Sequence, residues 1–545
     1  MSGSATKRWS CLIVILGLIT YLGAASSLPS SIIMAQTYDD ALYIKLGRAI
    51  AGGHWLGHYD QLTLVKGPIY PAFLALASST GLPFDIVQYI FYFLCCWYFS
   101  HILATVCGQN RLVASGVFVA VLICPTLYTE SRVLREFFYS GLTLLLIAVT
   151  IDLLCTRRSG WRGALLGIGT GIVGAAHWMT REESLWIVPS LLVLVAGALY
   201  NVQAPTLKAR AAQLGRPVLS ACVGAAAVFL TVGYLNWTHY GRFVTDEMRD
   251  ATFQRALTAL QRVGGTFQKP YLPVPREARD LLYAQSPSFA ALRDHIEPNA
   301  VSVDNACFQW KAACNDLIGA MFMWRLRDAV AQAGFAQSAK EAARFYHGLA
   351  KEIELACRMK RLPCADWLPP LIPPITPAQW QLLPATLGRA ALLVAYEPPP
   401  SFDRQPSYLK TGDSADAVAF LNRPFAMTEA SSMPHETANR ERIRSAWVGM
   451  LGLAASIDRL LLVAGLASLM LTVILARRLL TGTAGIVTLA LFAAVGTRIV
   501  LLSLVEISSF PAVLYERMFP AAPLVLAAAI LSIYMLCAIK RSAQT

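Results

Sequence analysis

Long apolar runs, most of them roughly 18 to 25 residues, constrain this chain more than any other feature. About 20 apolar residues in a helix are enough to cross the roughly 30 Å hydrocarbon core of a bilayer. The runs recur along the chain and leave it 56% hydrophobic and only 14% charged. Soluble proteins are usually about 25% charged, so this chain lacks the polar residues that a soluble surface needs. The predicted fold class is an all-α polytopic membrane protein.

The apolar runs predict about ten transmembrane helices. Lys and Arg are concentrated in alternate short loops, for example at Lys7 and Arg8, at 157–162, and at Arg477 and Arg478. Because cytoplasmic loops retain positive charge, this alternation places both termini inside and predicts an even number of spans. The predicted spans are 11–34, 84–106, 111–128, 137–155, 161–179, 184–200, 217–236, 450–475, 481–505 and 511–538.

The net charge of +13 does not indicate a nucleic-acid partner, because the positive residues lie in short loops between apolar runs. The run 69–82 is apolar but short and contains Pro71, so we predict a re-entrant or interfacial helix there. Counting this run as a span would reverse the topology that follows it. The first run has basic residues before it and small residues after it, so a cleaved signal peptide is the alternative to a retained span.

The chain divides into three predicted parts. Residues 1–237 form a seven-span bundle with a first outer loop at 35–83, and residues 448–545 form a three-span bundle. Between them, 238–447 is polar and proline-rich, and we expect a mainly helical extracytoplasmic (periplasmic) domain on the inner, or plasma, membrane. Its clearest helices are predicted over 316–333 and 338–359, where apolar residues recur at helical spacing.

Four of the twelve cysteines lie outside the predicted spans and their flanks. An even number of cysteines in an oxidising compartment predicts two disulfides, whose connectivity the sequence leaves open. Zinc binding is the alternative, although no histidines stand nearby at ligand spacing. The four cysteines are Cys307, Cys314, Cys357 and Cys364.

The first outer loop carries the densest set of reactive residues. Asp39 and Asp40 open a short amphipathic helix just outside the predicted first span, Tyr43 follows one turn later, and Lys66 lies further along the loop. An Asp at a helix start is commonly a cap, because it accepts hydrogen bonds from unpaired amides and complements the helix dipole. One Asp would suffice for capping, so the second carboxylate predicts a catalytic role for one member of the pair.

Two charged turns and a late arginine lie on the same predicted side of the membrane. Arg135-Glu136 precedes the fourth span, Arg181-Glu182 precedes the sixth, and Arg517 stands at the entry to the last. The alternatives are a salt-bridged turn for the first, interfacial anchoring for the second and a snorkelling surface arginine for the third.

These motifs resemble the GT-C glycosyltransferases, notably the protein O-mannosyltransferases and the aminoarabinose transferases of lipid A. The acidic pair, Tyr43, Arg48 and the Gly-His-Trp ending at Trp55 resemble the first outer loop of these families. Lys66-Gly67-Pro68 resembles their Lys-Pro-Pro motif, with a different middle residue. The Thr-Arg-Glu sequence at 180–182 resembles their Thr-Arg-Pro-Glu motif without its proline.

The resemblance implies a GT-C-like bundle that transfers a sugar from a polyprenyl-phosphate carrier to a glycan, lipid or protein acceptor, with inversion at the anomeric carbon. It leaves the need for a divalent metal and the oligomeric state open. The implied roles are catalysis by Asp39, with Asp40 and Glu136 as further acids; donor-phosphate binding by Lys66, Arg181 and Arg517; and orientation of the acceptor by Arg135, Glu182 and Tyr43.

The predicted chemistry needs few groups. A lipid phosphate is already a good leaving group, so one carboxylate that accepts the acceptor's hydroxyl proton can be sufficient. Fixed cations are needed where the departing phosphate gains negative charge. The alternatives are a transporter or flippase of lipid-linked saccharides, a polysaccharide polymerase or ligase, and a non-catalytic envelope assembly protein.

Overall fold

The computed structural model describes residues 3–27, 32, 34, 37–124, 132–155, 160–201, 206–297, 316–366, 374–395, 413–422 and 438–542. All regular elements within these ranges are helices, as the predicted fold class requires. The helices before residue 250 are α1 (Gly3–Ser27), α2 (Asp40–Ala51), α3 (Ile69–Ser79), α4 (Phe84–Val106), α5 (Arg111–Leu122), α6 (Glu136–Cys155), α7 (Gly160–Thr180), α8 (Val188–Asn201) and α9 (Leu207–Tyr240).

The later helices belong to the predicted outer segment and to the carboxy-terminal bundle. Two of them, α14 and α15, confirm the helices predicted over 316–333 and 338–359. They are α10 (Ala251–Gly264), α11 (Arg276–Gln285), α12 (Pro287–Ala290), α13 (Arg293–Ile296), α14 (Gly319–Gln332), α15 (Ala339–Arg358), α16 (Pro377–Ala395), α17 (Asp413–Phe420), α18 (Ala438–Ala476), α19 (Thr483–Ser508), α20 (Tyr515–Met518) and α21 (Ala522–Ser542).

Seven of the described helices are long and apolar enough to cross a membrane, so the chain is a polytopic helical membrane protein. Each of the seven overlaps one of the predicted spans. The seven are Phe84–Val106, Glu136–Cys155, Ser184–Asn201, Gln213–Tyr240, Ser445–Thr481, Thr483–Ser508 and Ala522–Ile539.

The other three predicted spans correspond to α1, α5 and α7, which are helical but stand outside this set of seven. The run 69–82 forms α3, whose 11 residues extend about 16 Å, roughly half the thickness of the hydrocarbon core. A helix of this length fits the re-entrant or interfacial position that was predicted for it.

The long helices differ in how much apolar surface they bury. The apolar stretch of the central helix α6 is almost wholly buried, whereas only a minority of the residues in the apolar stretches of α9 and α18 are buried. On α18, for example, Leu460 and Ile474 are more than two-thirds exposed. Exposed apolar surface of this extent is costly in water but not in lipid, so these faces are suited to contact with acyl chains.

The first outer loop and the outer segment share one hydrophobic core. Leu42, Leu46 and Leu64 of the loop belong to the same buried cluster as residues of α10, α14 and α15. The buried guanidinium of Arg327 on α14 joins the two parts by donating hydrogen bonds to the carbonyl oxygen of Gln61, at 3.0 and 2.6 Å. The loop is therefore positioned by the domain that follows it much later in the chain.

Helix α16 lies within the predicted outer segment but packs along α19 of the carboxy-terminal bundle. The Gln379 amide donates to the Ile507 carbonyl oxygen, and Ala390 and Val394 belong to the core of the bundle. Its neighbours at 396–412 are outside the described residues. The boundaries predicted for the outer domain thus enclose at least one helix that contacts the bundle.

Two of the four cysteines predicted to form disulfides, Cys357 and Cys364, are joined in a disulfide at the end of α15, which fixes a connectivity that the sequence left open. The zinc alternative does not apply to these two residues, since both thiols are used in the bond. Cys307 and Cys314 lie outside the described residues.

Small residues bring α7 and α9 into close contact. A Cβ atom added to Gly171 would lie 1.9 Å from the carbonyl oxygen of Ala221, and one added to Gly224 would lie 2.1 Å from that of Ile168. Neither neighbour is a flexible side chain, so the two backbones would have to separate. This arrangement is typical of membrane helices, where small residues permit tight packing.

We predict that Gly171→Ala destabilises the bundle by about 1 to 3 kcal/mol, because the added methyl group overpacks the contact between α7 and α9. Gly169→Ala is the matched control, since nothing lies within 4 Å of its added Cβ atom. There, Ala should stabilise the helix by about 0.5 to 1 kcal/mol. Thermal unfolding of the detergent-purified chain tests the difference, and equal stability of the two variants would contradict the proposed packing.

Candidate functional site

The amino-terminal end of α2 presents two carboxylates in different environments. Asp39 occupies the N-cap position but makes no side-chain capping hydrogen bond. Its side chain is 47% exposed and pairs with Lys66 across 2.7 Å. Asp40 is fully buried and pairs with Arg132. Helix capping therefore does not explain why an Asp side chain is present at position 39.

Lys66 lies beneath this end of α2. Its side chain is only 5% exposed, and its ammonium group sits 4.5 Å from the ring centroid of Tyr43. Burial lowers the pKa of Lys66, and Asp39 opposes that effect. Burial likewise raises the pKa of the Asp39 carboxyl, but Lys66 outweighs it, with help from Arg135 and Arg132, and lowers the pKa to about 2.

Close packing explains the glycine that follows Lys66. A Cβ atom added to Gly67 would lie 1.8 Å from the carbonyl oxygen of Met179 on α7. A proline, as in the Lys-Pro-Pro motif, could not occupy this position without displacing α7. The departure from the motif is thus a local packing requirement that keeps Lys66 close to the carboxy-terminal end of α7.

The turn before α6 and the turn after α7 are joined by buried ion pairs. Arg135 binds Glu182 through both carboxylate oxygens, at 2.9 and 2.6 Å, and also donates to the Thr180 carbonyl oxygen. Burial raises the pKa of Glu182, but Arg135 outweighs this effect and holds it below its usual value. Arg181 pairs with Glu136 at 2.6 Å and with Glu183 at 2.6 Å.

Arg517 extends the cluster from the carboxy-terminal bundle. It is close enough to Arg181 that, after burial, the charge of Arg181 is the largest cause lowering its pKa. Its guanidinium donates to the Pro511 carbonyl oxygen at 3.1 Å, and it forms no ion pair with the described residues. The side chain is therefore a cation whose charge is not directly neutralised within the described chain.

Several members of the cluster were not among the predicted site residues. Arg132 pairs with Asp40, and Arg249 donates to the Arg181 and Trp178 carbonyl oxygens. Arg498 on α19 is fully buried, contacts Glu183 at 3.4 Å and donates to the Arg517 carbonyl oxygen. An arginine inside an apolar helix is a signal for such a role, because isolated charges there are costly.

Five polar atoms of this cluster are buried without a hydrogen-bond partner among the described residues: Tyr43 Oη, Arg132 Nε, Glu136 Oε2, Arg181 Nε and Arg498 Nη1. Buried polar groups are usually satisfied, and each exception calls for an explanation. A bound polar ligand would provide one, since it could supply the missing donors and acceptors.

The first loop is also anchored to α9. The Trp55 indole donates to the Asn236 side-chain oxygen at 2.8 Å, and the Asn236 amide donates to the Val244 carbonyl oxygen at 2.7 Å. Asn236 is fully buried. The Gly-His-Trp sequence that follows α2 therefore meets the end of α9.

The structure brings together the predicted residues Asp39, Asp40, Tyr43, Lys66, Arg135, Glu136, Arg181, Glu182 and Arg517. Among the described residues, no group of three or more His, Cys, Asp or Glu side chains is placed to hold a metal ion. No protein-family model, curated protein or solved structure matches this chain.

We predict that the carboxylate of Asp39 persists to low pH because Lys66 stabilises it. Its pKa of about 2 lies below the ordinary value of about 3.9 for Asp. The stabilisation is therefore complete above about pH 4 and is lost as the pH falls towards 2. The measurement is an infrared titration of the protonated-carboxyl band, which is assigned to Asp39 by subtracting the spectrum of Asp39→Asn. The pKa of Asp39 should be higher in Lys66→Met than in the wild type. An unchanged pKa would mean that Lys66 is not the cause.

A double-mutant cycle tests the Arg135–Glu182 pair. Arg135→Met should destabilise the protein by about 3 kcal/mol or more, because it leaves the Glu182 carboxylate without its partner in a mostly buried site. The double variant Arg135→Met/Glu182→Met should be less destabilised than the sum of the two single variants. Unfolding free energies provide the measurement, and strict additivity would show that the pair is not coupled.

Proposed function

We propose that this chain is a membrane glycosyltransferase that moves a sugar from a polyprenyl-phosphate carrier to an acceptor at the outer face of the membrane. The proposal includes a GT-C-like bundle of about ten spans, with both termini in the cytoplasm of a cell whose plasma, or inner, membrane holds the protein. The acceptor is a glycan, lipid or protein, and the donor lipid is the principal partner.

One observation carries the proposal: an accessible carboxylate stands beside a group of cations at the ends of apolar helices. The contributing segments lie near residues 39, 66, 135, 181 and 517, far apart in sequence. Their ion pairs form three neighbouring groups: Asp39 with Lys66, Arg135 with Glu182, and Arg181 with Glu136 and Glu183. The Tyr43 ring lies between the first two groups, 4.5 Å from the Lys66 ammonium and 5.8 Å from the Arg135 guanidinium, and Arg517 adjoins Arg181. Sugar transfer from a lipid phosphate requires a carboxylate that acts as the base and, next to it, cations that bind the phosphate.

Exposure supports Asp39 as the base. Its side chain is 47% exposed, whereas that of Asp40 is fully buried and that of Glu136 is 13% exposed. A base must approach the acceptor hydroxyl to about 3 Å, which an enclosed carboxylate cannot do. Asp40 and Glu136 then hold Arg132 and Arg181 in position rather than contacting the acceptor.

The Lys66–Asp39 pair couples donor binding to base activation. While Lys66 holds Asp39 at 2.7 Å, the low pKa makes the carboxylate a weak base. A donor phosphate that attracts the Lys66 ammonium removes this stabilisation, so burial then raises the pKa of Asp39. The base is thereby strengthened only when a donor is present.

The transfer step balances without a further reactant. The acceptor O–H proton passes to Asp39 as the acceptor oxygen bonds to the anomeric carbon. The bond from that carbon to the phosphate oxygen breaks, and the lipid phosphate leaves with the electron pair. Lys66, Arg181 and Arg517 are the cations proposed to stabilise the charge that it gains. Direct displacement inverts the anomeric centre.

We predict that Asp39→Asn lowers sugar transfer at least about 100-fold, because the general base is lost. Purified full-length protein in lipid nanodiscs is given polyprenyl-phosphate mannose or polyprenyl-phosphate glucose. Release of the sugar to water or to added membrane extract is measured. Affinity for polyprenyl phosphate alone should be retained in Asp39→Asn and weakened about tenfold in Arg517→Met.

Arg459→Met, within the membrane-crossing part of α18, is a control for the loss of an arginine at membrane depth, and no ion pair joins Arg459 to Arg181 or Glu183. It should retain polyprenyl-phosphate binding. If Asp39→Asn transfers sugar as fast as the wild type, Asp39 is not the base. If polyprenyl phosphate binds but neither donor reacts, and saccharide instead crosses the bilayer of a proteoliposome, the transporter alternative is favoured.

A further inference from the structure

A second basic site lies in the outer segment, and its lining shares no residue with the cluster around Asp39. An open cavity of about 750 Å³ is formed by the end of α15, the loop that follows it and one residue of α10. Four cations line it: Arg262, Arg358, Lys360 and Arg361. The volume is within the range of about 300 to 1,000 Å³ that is usual for small-ligand sites.

The loop that carries these cations is held in a defined shape. The Cys357–Cys364 disulfide closes it, and Lys360 adopts a left-handed backbone conformation with φ +56°. The Lys360 amide donates to the Cys357 carbonyl oxygen at 3.0 Å. A fixed loop presents its charges at little cost in conformational entropy when a ligand binds.

A cation from a different helix is fixed against the same loop. The Ala365 amide donates to the Arg262 carbonyl oxygen at 2.9 Å, and the Arg262 side chain donates back to the Ala365 carbonyl oxygen at 2.7 Å. Arg262 is thus attached to the loop by two hydrogen bonds. Its charge is added to those of Arg358, Lys360 and Arg361 despite their mutual repulsion.

The acids in the lining do not balance these charges. Glu354 forms a bidentate ion pair with Arg255, which lies outside the cavity, so its charge is already compensated. Asp366 is the other acid in the lining. Favourable interaction with the helix dipole explains Arg358 in the last turn of α15. It does not explain why Arg262, which belongs to α10, also lines the cavity.

We propose that this cavity binds a ligand with clustered phosphate groups, either a soluble phosphorylated compound or a phospholipid headgroup. Several convergent cations, three of them guanidinium groups, match the multiple charges and the oxygen geometry of phosphate. The site is separate from the proposed transfer chemistry and does not depend on it.

The test measures binding of inorganic tripolyphosphate to the full-length protein in phosphatidylcholine nanodiscs. The Lys360→Gln/Arg361→Gln variant should bind about tenfold more weakly, because two charge-assisted contacts are lost. Arg344→Gln/Lys351→Gln is the matched control: it removes two exposed cations from α15 that do not line the cavity. The control should bind like the wild type, and all affinities should fall as salt is added.

Nanodiscs that contain phosphatidylglycerol distinguish the two sources of phosphate. If headgroups of the surrounding membrane enter the cavity, they compete and weaken tripolyphosphate binding to the wild type but not to the Lys360→Gln/Arg361→Gln variant. An unchanged affinity identifies a soluble ligand.

Absence of tripolyphosphate binding in phosphatidylcholine nanodiscs, or an equal loss in the two double variants, would overturn the proposal. Sugar transfer does not enter this assay, so failure of the proposed transferase function is recognised separately.

Discussion

Buried guanidinium groups that must be neutralised determine how the helix ends are arranged. Removing an arginine from water costs several kcal/mol unless a carboxylate and further acceptors replace the water. Arg135, Arg181 and Arg498 each meet that requirement with a partner on another element. Apolar packing discriminates little between helix neighbours in lipid, where the surroundings are as apolar as the helices. The ion pairs therefore supply much of the specificity that brings α2, α6, α7 and α19 together.

The sequence predicted the long helices well because the length and polarity of an apolar run follow directly from the bilayer. It also predicted α14 and α15 from their helical periodicity. The charged turns at 39–40, 135–136 and 181–182 were assigned to one membrane side. Ion pairs join the turns at 135–136 and 181–182, and Asp40 pairs with Arg132, whereas the membrane side stays a prediction. Their roles in transfer stay predictions, because contacts alone do not measure catalysis.

The partner of each charge could not be read from the sequence. Asp39 and Asp40 are adjacent, yet one pairs with Lys66 and remains accessible while the other is enclosed with Arg132. This difference arises from the tertiary packing around α2, which no local pattern encodes. Arg498 was not predicted to join the site, and α16 was assigned to the outer domain, because periodicity does not identify the neighbour of a helix.

The core shared by the first loop and the outer segment has a consequence for biosynthesis. Val65 and Leu362 belong to one buried cluster, although roughly 300 residues separate them and such distant contacts form late. At 5 to 20 residues per second, the ribosome needs roughly 15 to 60 seconds to make that stretch. During this interval the amphipathic α2 lacks its permanent partners, so a nascent chain carries an unassembled loop until the outer segment has been synthesised. The two can mature only together.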